Sequence, residues 1–328
     1  MVWLDKKLYP IYIEKENELV EETRKKYTTL VMTGGIGRHV AFSAVIPKVV
    51  EEYGEVDILS AFPDIYEGID GVRRSINMNV EYGYDDYFKG RNRFAPEPYE
   101  MNEFFNKRIG IIEGFMKSMD LEYNEEEDLP IAIETPNHIK MELDKRIGNK
   151  KYIAVQFVGG NQAQNPQPNQ KNMVKDYPME NLNEFLTLFS QKYKNYAVVN
   201  VGLPYEYKIP GSIETGDLPY TAMPYILQKA ETFVAIDSSL QHFSAARNIK
   251  KKGIVLWGAT SPVNFGYKQN INLANSCPFH DLHCSRPYFR HSSDFVSKGN
   301  IWTCKKPECI KISPKLIMEN LDTILGGK

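Results

Sequence analysis

The residues with the clearest chemical potential lie in the stretch TFVAIDSSLQH, from Thr232 to His242. An apolar run stops at Asp237, Ser238 and Ser239 follow, and an amphipathic pattern begins that carries His242. A strand that runs into a helix at the carboxyl edge of a parallel sheet presents free backbone N–H groups to an anion. The stretch therefore predicts a diphosphate at the two serines, with Asp237 reaching a sugar or ribose hydroxyl. Aspartate and serine are also favoured as helix N-caps, and that purely structural interpretation stays open.

A second candidate group follows an apolar run near the start of the chain, in TTLVMTGGIGRHV. Glycines after a strand allow a ligand to approach the backbone closely, although they also form ordinary tight turns. Gly37 and Arg38 could hold an acidic ligand or a phosphate group, because the planar guanidinium binds such groups through two N–H donors. A solvated helix surface is the alternative for the same residues.

Composition restricts the class of protein. The chain has 328 residues, of which 42% are hydrophobic and 25% charged, and its formal net charge is −2. This length suits two domains, and the charge shows no global basic field for nucleic acid or anionic lipid. A local basic patch that forms only in the fold stays open. No segment has the pattern of a signal peptide or a membrane span, so we expect a cytoplasmic protein without a transmembrane segment.

Strand and helix patterns alternate in two runs. The first run predicts strands at 28–33 and 56–61 with a helix at 38–53 between them. The second predicts strands and helices at 151–160, 179–193, 196–202, 220–230, 232–237 and 252–258, with a further helix that starts near Ser238. This alternation predicts an α/β architecture of two Rossmann-like domains. The predicted domains cover residues 1–150 and 151–312, and a closing helix covers 313–328. Pro47 should end or kink the first helix. Residues 77–110 are rich in Tyr, Phe, Asn and Pro, which favours a long excursion with short elements. Its aromatic rings could stack on sugars or nucleobases, or simply pack onto the sheet.

The segment FVAIDSSLQHFSAARNIKKKGIVLWGATSPVNFGY resembles the donor-binding segment of the heptosyltransferase-type glycosyltransferases, the ADP-heptose family. These are inverting enzymes with the GT-B fold, in which two Rossmann-like domains face a central cleft. The residues that match the family pattern are Asp237, Ser238, Ser239, His242, Gly258, Thr260 and Pro262. Ser239 stands in place of the family's glycine, which crowds the phosphate side of the site slightly.

Other segments extend the resemblance. VNVGLPYE implies Glu206 for the donor ribose, and VKDYP implies Lys175 for the donor phosphates. The turn FVGGNQ implies that Gly159 and Gly160 face the donor. TGGIGRHVAFSAVIPKVVEEYGEVDIL resembles the amino-terminal strand, turn and helix of the same family. The resemblance implies a metal-independent, inverting transfer of a hexose or heptose from a nucleotide-diphosphate donor to an acceptor hydroxyl, with no cofactor for catalysis.

The sequence departs from the family at the general base. The family places an aspartate after Ile-Gly, where this chain has Arg38, and arginine does not lose its proton at working pH. His39, Asp64 and Glu97 are the candidates for the missing proton acceptor. We favour His39 and then Asp64, since a helix N-terminus disfavours the imidazolium and keeps the ring able to accept a proton. A non-catalytic protein that binds a nucleotide or glycan is the alternative.

The acceptor has three candidate classes, namely a glycan, a lipid-linked saccharide and a modified nucleic-acid base. Phage enzymes with this fold class glycosylate DNA bases, but the mild acidity of the chain argues against strong backbone binding.

All four cysteines lie near the carboxyl end, at Cys277, Cys284, Cys304 and Cys309, with two histidines between the first two of them. This clustering suggests a local structural site, and four thiolates or a Cys/His mixture could bind zinc. Reduced core thiols and disulfides are the alternatives, although a cytosolic protein seldom keeps stable disulfides.

Overall fold

The computed structural model describes residues 28–78, 93–123, 129–131, 133–159, 175–202, 208–277 and 308–326. These residues form two parallel β-sheets, one of four strands and one of six. The first sheet has the order β3-β2-β1-β4. Its strands are β1 (Thr28–Met32), β2 (Val56–Ser60), β3 (Val72–Asn77) and β4 (Arg93–Phe94). The apolar runs of β1 and β2 are buried almost throughout, as expected of parallel strands covered on both faces.

Four helices within the described ranges accompany the first sheet: α1 (Ile36–Phe42), α2 (Ile46–Tyr53), α3 (Asn102–Phe105) and α4 (Ile111–Ser118). We call this sheet and these helices the first half. The helix predicted from Arg38 onward begins at Ile36 and is in two parts, joined by a 3-10 turn over Ser43–Val45. Pro47 stands in the first turn of α2, where no intrahelical partner is lost with its missing N–H. The change from α to 3-10 geometry therefore lies just before Pro47, close to where the sequence predicted an end or a kink, and the helix continues beyond Pro47.

The second half contains a six-stranded sheet of order β10-β9-β8-β5-β6-β7. Its strands are β5 (Lys151–Gln156), β6 (Tyr196–Asn200), β7 (Ile213–Glu214), β8 (Thr232–Ile236), β9 (Ile254–Trp257) and β10 (Ile271–Ala274). Its helices are α6 (Met179–Lys192), α7 (Met223–Lys229), α8 (Ser239–Ser244), α9 (Pro262–Phe265) and α10 (Pro314–Leu325). The strands and helices that the sequence predicted in this half are present, whereas β7 and β10 were not predicted.

Each sheet reverses its strand order at one point. In the first sheet, the chain continues from β1 to β2 and β3 on one side, and β4 lies on the other. In the second, β6 and β7 lie on one side of β5, and β8 to β10 lie on the other. Such a reversal opens a crevice at the carboxyl ends of the two strands that flank it. We call the crevice after β1 and β4 the first crevice, and the crevice after β5 and β8 the second crevice.

The buried apolar residues of the described part of the chain form two clusters. One contains the core of the first half together with one face of the second sheet, including Ala154, Phe233 and Trp257. The other covers the opposite face of the second sheet, where Ile153 and Val155 pack with residues of α6 and α10. The alternation of Ile153, Ala154 and Val155 between clusters follows from the two-residue period of a strand.

The two halves are in direct contact. Helix α1 packs on α8, and a Cβ added to Gly37 would lie only 2.5 Å from the His242 ring. Asn264 of α9 donates from Nδ2 to the carbonyls of Phe104, at 2.9 Å, and Ile109, at 3.1 Å. The two crevices therefore lie on the facing sides of the two halves, because α1 and α8 begin where β1 and β8 end.

Helix α5 (Asn137–Ile147) precedes the predicted domain boundary at residue 150, yet it bonds to the second half. Arg146 forms a two-nitrogen ion pair with Asp217, at 2.6 and 2.7 Å. The Tyr225 hydroxyl donates to the Asp144 carboxylate at 2.8 Å. These contacts attach α5 to the sheet that it precedes in the chain, while the boundary itself stays a prediction.

Candidate functional site

An ion pair lies in the second crevice. Lys175 Nζ is 3.0 Å from Asp237 Oδ2, and the Asp237 side chain is only 7% exposed. Gln241 Nε2 donates to Asp237 Oδ1 at 3.3 Å from one turn further along α8. Burial alone would raise the pKa of Asp237, but the neighbouring Lys175 ammonium holds it below its usual range. The crevice therefore presents an ionised carboxylate and an ammonium at the carboxyl end of a central strand.

The junction between β8 and α8 is fixed by a side chain from β5. Gln156 Oε1 accepts from Ser238 Oγ at 2.6 Å and from the Leu240 backbone N–H at 3.4 Å. Ser238 is the residue before α8, but its hydroxyl makes no cap bond to that helix. The Ser239 hydroxyl lies 3.8 Å from Met223 Sδ. In this conformation both hydroxyls have protein contacts, and the predicted diphosphate role of the two serines stays a prediction.

His242 connects the second crevice to the first half. Its Nδ1 lies 2.8 Å from the Tyr267 hydroxyl, and Gly37 of α1 lies against the opposite edge of its ring. Burial lowers the pKa of His242 to about 4, despite the nearby Asp237 carboxylate, so the ring is neutral near pH 7. A neutral, buried imidazole therefore lies at the contact between α8 and α1.

The first crevice holds a second ion pair. Arg38 Nη1 donates to Glu97 Oε2 at 3.1 Å, and Arg38 Nη2 donates to the Pro96 carbonyl at 2.7 Å. The Arg38 guanidinium lies 5.1 Å from the centre of the Tyr99 ring and 5.4 Å from that of Phe115. Both terminal nitrogens of Arg38 therefore have partners, and the aromatic rings hold the guanidinium in place.

His39 points away from Arg38 and into the first half. Its Nδ1 lies 2.9 Å from Ser60 Oγ and 3.0 Å from the Tyr66 hydroxyl, and the residue has no exposed surface. Burial, with a smaller contribution from the Arg38 charge, lowers the pKa of His39 to about 3. The neutral ring can accept a proton chemically, but its Nε2 is buried and meets no hydrogen-bond partner among the described residues.

Asp64 takes part in a contact between the halves. Its Oδ2 accepts from the Tyr220 hydroxyl at 2.7 Å, and the Phe62 and Tyr220 rings meet edge to face at 5.5 Å. Burial, together with the Asp64 carboxylate, raises the pKa of the Tyr220 hydroxyl. Asp64 is thus bound to the second half rather than placed beside Arg38.

The structure brings Lys175, Asp237 and His242 together in the second crevice, and Gly37, Arg38 and Glu97 together in the first. Gly159 follows β5, and its N–H donates to Asp176 Oδ1 at 2.9 Å. Cys277 and Cys309 are described, and the Asn275 N–H donates to the Cys309 carbonyl at 3.3 Å. The predicted site residues outside the described ranges are Gly160, Glu206, Cys284 and Cys304.

Sequence reasoning missed several residues that build the two crevices. Gln156 belongs to a predicted strand, and a polar residue at the buried end of an apolar run is a signal of a polar contact there. Tyr99 is one of many aromatic residues in the excursion, so its sequence context gives it no special role. Burial raises its pKa to about 12; the Arg38 guanidinium opposes this shift, and the Glu97 and Asp237 carboxylates add to it.

Solved glycosyltransferase structures resemble this fold. A family 9 glycosyltransferase from Veillonella parvula matches with a TM-score of 0.63 at 12% identity, over 93% of this chain and 98% of that chain. TibC is a dodecameric iron-containing heptosyltransferase of enterotoxigenic E. coli, determined with ADP-D-beta-D-heptose. It matches with a TM-score of 0.64 at 13% identity, over 92% of this chain and 76% of that chain. The E. coli ADP-heptose LPS heptosyltransferase II matches at 0.55 and 10% identity, over 91% and 98%.

These matches confirm the predicted fold class, GT-B, and the structural resemblance to heptosyltransferases. At such low identities the likeness establishes the fold alone. No protein-family model matches the chain, and no curated protein sequence matches it. Among the described residues, every helix is too short or too polar to span a membrane.

Proposed function

We propose that the chain is a glycosyltransferase that moves a sugar from a nucleotide-diphosphate donor to an acceptor hydroxyl. The transfer would occur with inversion at the anomeric carbon, between the two crevices and without a catalytic metal. The GT-B fold of the neighbouring structures supports this class, and TibC was determined in complex with a nucleotide sugar, ADP-D-beta-D-heptose.

The observation that carries the proposal is the position of the Lys175–Asp237 pair. It lies in the second crevice, where open parallel sheets bind nucleotides. Lys175 would bind the diphosphate, since an ammonium stabilises the negative charge that grows on the leaving group. Asp237 would orient Lys175 and accept from a donor hydroxyl. Ser238, Ser239 and Gly159 lie next to this pair along the chain or across the sheet, and Glu206 remains our proposal for the ribose.

A nucleotide-binding panel tests the proposal. We expect one of ADP, UDP or GDP, or a sugar conjugate of these, to raise the thermal stability of the protein. A ligand at 100 times its Kd adds about 2.7 kcal/mol to the free energy of unfolding. Lys175→Gln should weaken that ligand about tenfold to 100-fold, because a hydrogen bond to a charged group contributes about 1.5–3 kcal/mol.

Lys315→Gln is the matched control, since Lys315 is exposed on α10, away from the second crevice. Binding in this variant should equal that of the wild type. Stabilisation by no nucleotide, or equal binding by Lys175→Gln and the wild type, would contradict the donor site.

The cysteine cluster supports a separate, structural metal. Cys277 is half-buried and Cys309 buried, and the Asn275–Cys309 backbone bond holds the chain together on both sides of residues 278–307. Two thiols brought into one region suit zinc or iron, and TibC is described as iron-containing. We propose that Cys284 and Cys304 complete this site, which metal analysis of the purified chain would show as about one ion per chain.

A further inference from the structure

The proposed transfer requires a proton acceptor, and we infer that Glu97 supplies it, with Arg38 as the residue that positions it. This inference rests on the proposed function and names the group that deprotonates the acceptor. It also gives Arg38 the role of positioning Glu97, although Arg38 stands where the family that the chain resembles has its general base.

The topology places Glu97 in the first crevice. Glu97 follows the end of β4 by three residues, and Arg38 lies in the first turn of α1, shortly after β1 ends. The two strands flank the reversal of strand order in the first sheet. The Arg38–Glu97 ion pair joins residues 59 positions apart and lies at the first crevice. This crevice is where the first half would bind a ligand.

The Glu97 carboxylate is held in place before any ligand arrives. Pro96 and Pro98 restrict the backbone on both sides of Glu97. Its Oε1 accepts from the Tyr99 N–H at 3.4 Å, while its Oε2 accepts from Arg38 at 3.1 Å. The side chain remains 21% exposed, so an acceptor hydroxyl can reach the carboxylate. Such preorganisation is what a proton-transfer group needs.

Tyr99 connects Glu97 to the donor side. Its ring lies under the Arg38 guanidinium and 6.4 Å from the Phe265 ring of α9, in the second half. Tyr99 therefore lies between the Arg38–Glu97 pair of the first half and the Phe265 ring of the second half.

The other two candidates for the proton acceptor, His39 and Asp64, are bonded to other groups. The Nδ1 of His39 is occupied by Ser60 and Tyr66, and the residue has no exposed surface. Asp64 accepts from Tyr220 across the interface of the halves. Helix geometry explains the difference, since successive residues point about 100° apart and only Arg38 of the Arg38–His39 pair faces the crevice.

In the reaction step, the acceptor oxygen forms a bond to the anomeric carbon as the bond from that carbon to the diphosphate oxygen breaks. The bonding electron pair leaves on the diphosphate, next to Lys175. The acceptor proton passes to a Glu97 oxygen, which releases it to solvent afterwards. Arg38 touches none of the reacting atoms and acts by fixing the carboxylate.

The test measures release of nucleoside diphosphate from the nucleotide sugar selected by the binding panel, with water as the acceptor. Donor Kd is measured on the same samples. Glu97→Gln should lower kcat about 100- to 10,000-fold, the range of general-base contributions, with donor Kd unchanged. Glu97→Asp, which keeps the charge, should retain an intermediate rate. Glu100→Gln, at an exposed position in the 3-10 turn Pro98–Glu100 that follows Glu97, should match the wild type.

The role of Arg38 is tested by two further variants. Arg38→Met should lower kcat and leave donor Kd unchanged, and Arg38→Lys should recover part of the loss, because it restores a cation beside Glu97. Wild-type rates in Glu97→Gln, or a comparable loss of kcat in Asp64→Asn alone, would overturn the assignment. A wild-type protein that binds the nucleotide sugar but never releases the diphosphate would overturn both this assignment and the transferase, whereas failure to bind any nucleotide would overturn the proposed function first.

Discussion

The charged side chains in the two crevices are paired with opposite charges, whereas the two buried histidines beside them are neutral. The Lys175–Asp237 and Arg38–Glu97 pairs each offset the cost of removing a charge from water. His39 and His242 instead lose the proton, since burial lowers their pKa values to about 3 and about 4. Acidification should therefore destabilise the second crevice and the core beside the first crevice, whereas it would stabilise a protein that depends on histidinium.

This burial predicts the pH dependence of stability. Between the unfolded value of 6.5 and the folded value of about 3, His39 binds a proton only when the chain unfolds. The free energy of unfolding should therefore fall on acidification, by about 1.4 kcal/mol per pH unit for each such histidine. Denaturant unfolding of the wild type and His39→Gln, followed from about pH 8 to about pH 5, measures the effect.

Above about pH 7 both proteins should show stabilities independent of this histidine's protonation. Below about pH 7, the free energy of unfolding should change less steeply with pH in His39→Gln than in the wild type, and the difference in slope should correspond to one bound proton. Equal slopes in the two proteins would show that His39 is accessible to protons in the folded state.

The position of the two crevices relative to each other depends on the contact between helices α1 and α8. A short helix follows the central strand of each half, and the two helices meet where Gly37 has no side chain. The His242 ring fills the space that a Cβ at Gly37 would need. A glycine whose sequence context suggests a phosphate-binding turn is therefore required for close packing of two helices.

Gly37→Ala should accordingly destabilise the protein by about 1–3 kcal/mol, the usual cost of overpacking a filled site. Gly35→Ala is the matched control, because nothing lies within 4 Å of a Cβ at Gly35, and its φ of −80° suits alanine. Thermal or denaturant unfolding of both variants provides the measurement. If Gly35→Ala lost as much stability as Gly37→Ala, the conformation of the turn, rather than the contact with His242, would account for the loss.

Sequence patterns predicted the elements with strong periodicity, such as β1, β5, β8 and α6, because buried apolar runs and amphipathic faces are local signals. They missed β3, whose two arginines bond to the buried Asp57, and β4, which has only two residues. Local sequence patterns could not predict the Arg38–Glu97 ion pair either. It exists because β4 pairs with β1, a long-range contact that no sequence pattern near either residue reveals.

At the scale of the whole molecule, the two halves share one buried apolar cluster. That cluster runs from the core of the first half to one face of the second sheet, and only the opposite face has a core of its own. Two Rossmann-like units thus pack as parts of a single structure, which length and composition could not indicate.

The shared cluster predicts a single cooperative unfolding transition. Calorimetry should give one peak, with equal calorimetric and van't Hoff enthalpies. The nucleotide that binds the second crevice should move the whole peak, since the first half cannot unfold without exposing the shared cluster. Two separate peaks, of which the nucleotide shifts only one, would show that the halves unfold independently.

The hydrogen bonds of Asn264 have a mechanical consequence for this molecule. They attach the carbonyls of Phe104 and Ile109, in the first half, to helix α9 of the second. A hinge rotation that opened the cleft would have to break both bonds or carry residues 104–109 along with α9. In the second case Tyr99, which contacts both Phe104 and Phe265, would move with α9 and carry the adjoining Glu97 along. The spacing between the carboxylate and the donor would then change little as the cleft opened.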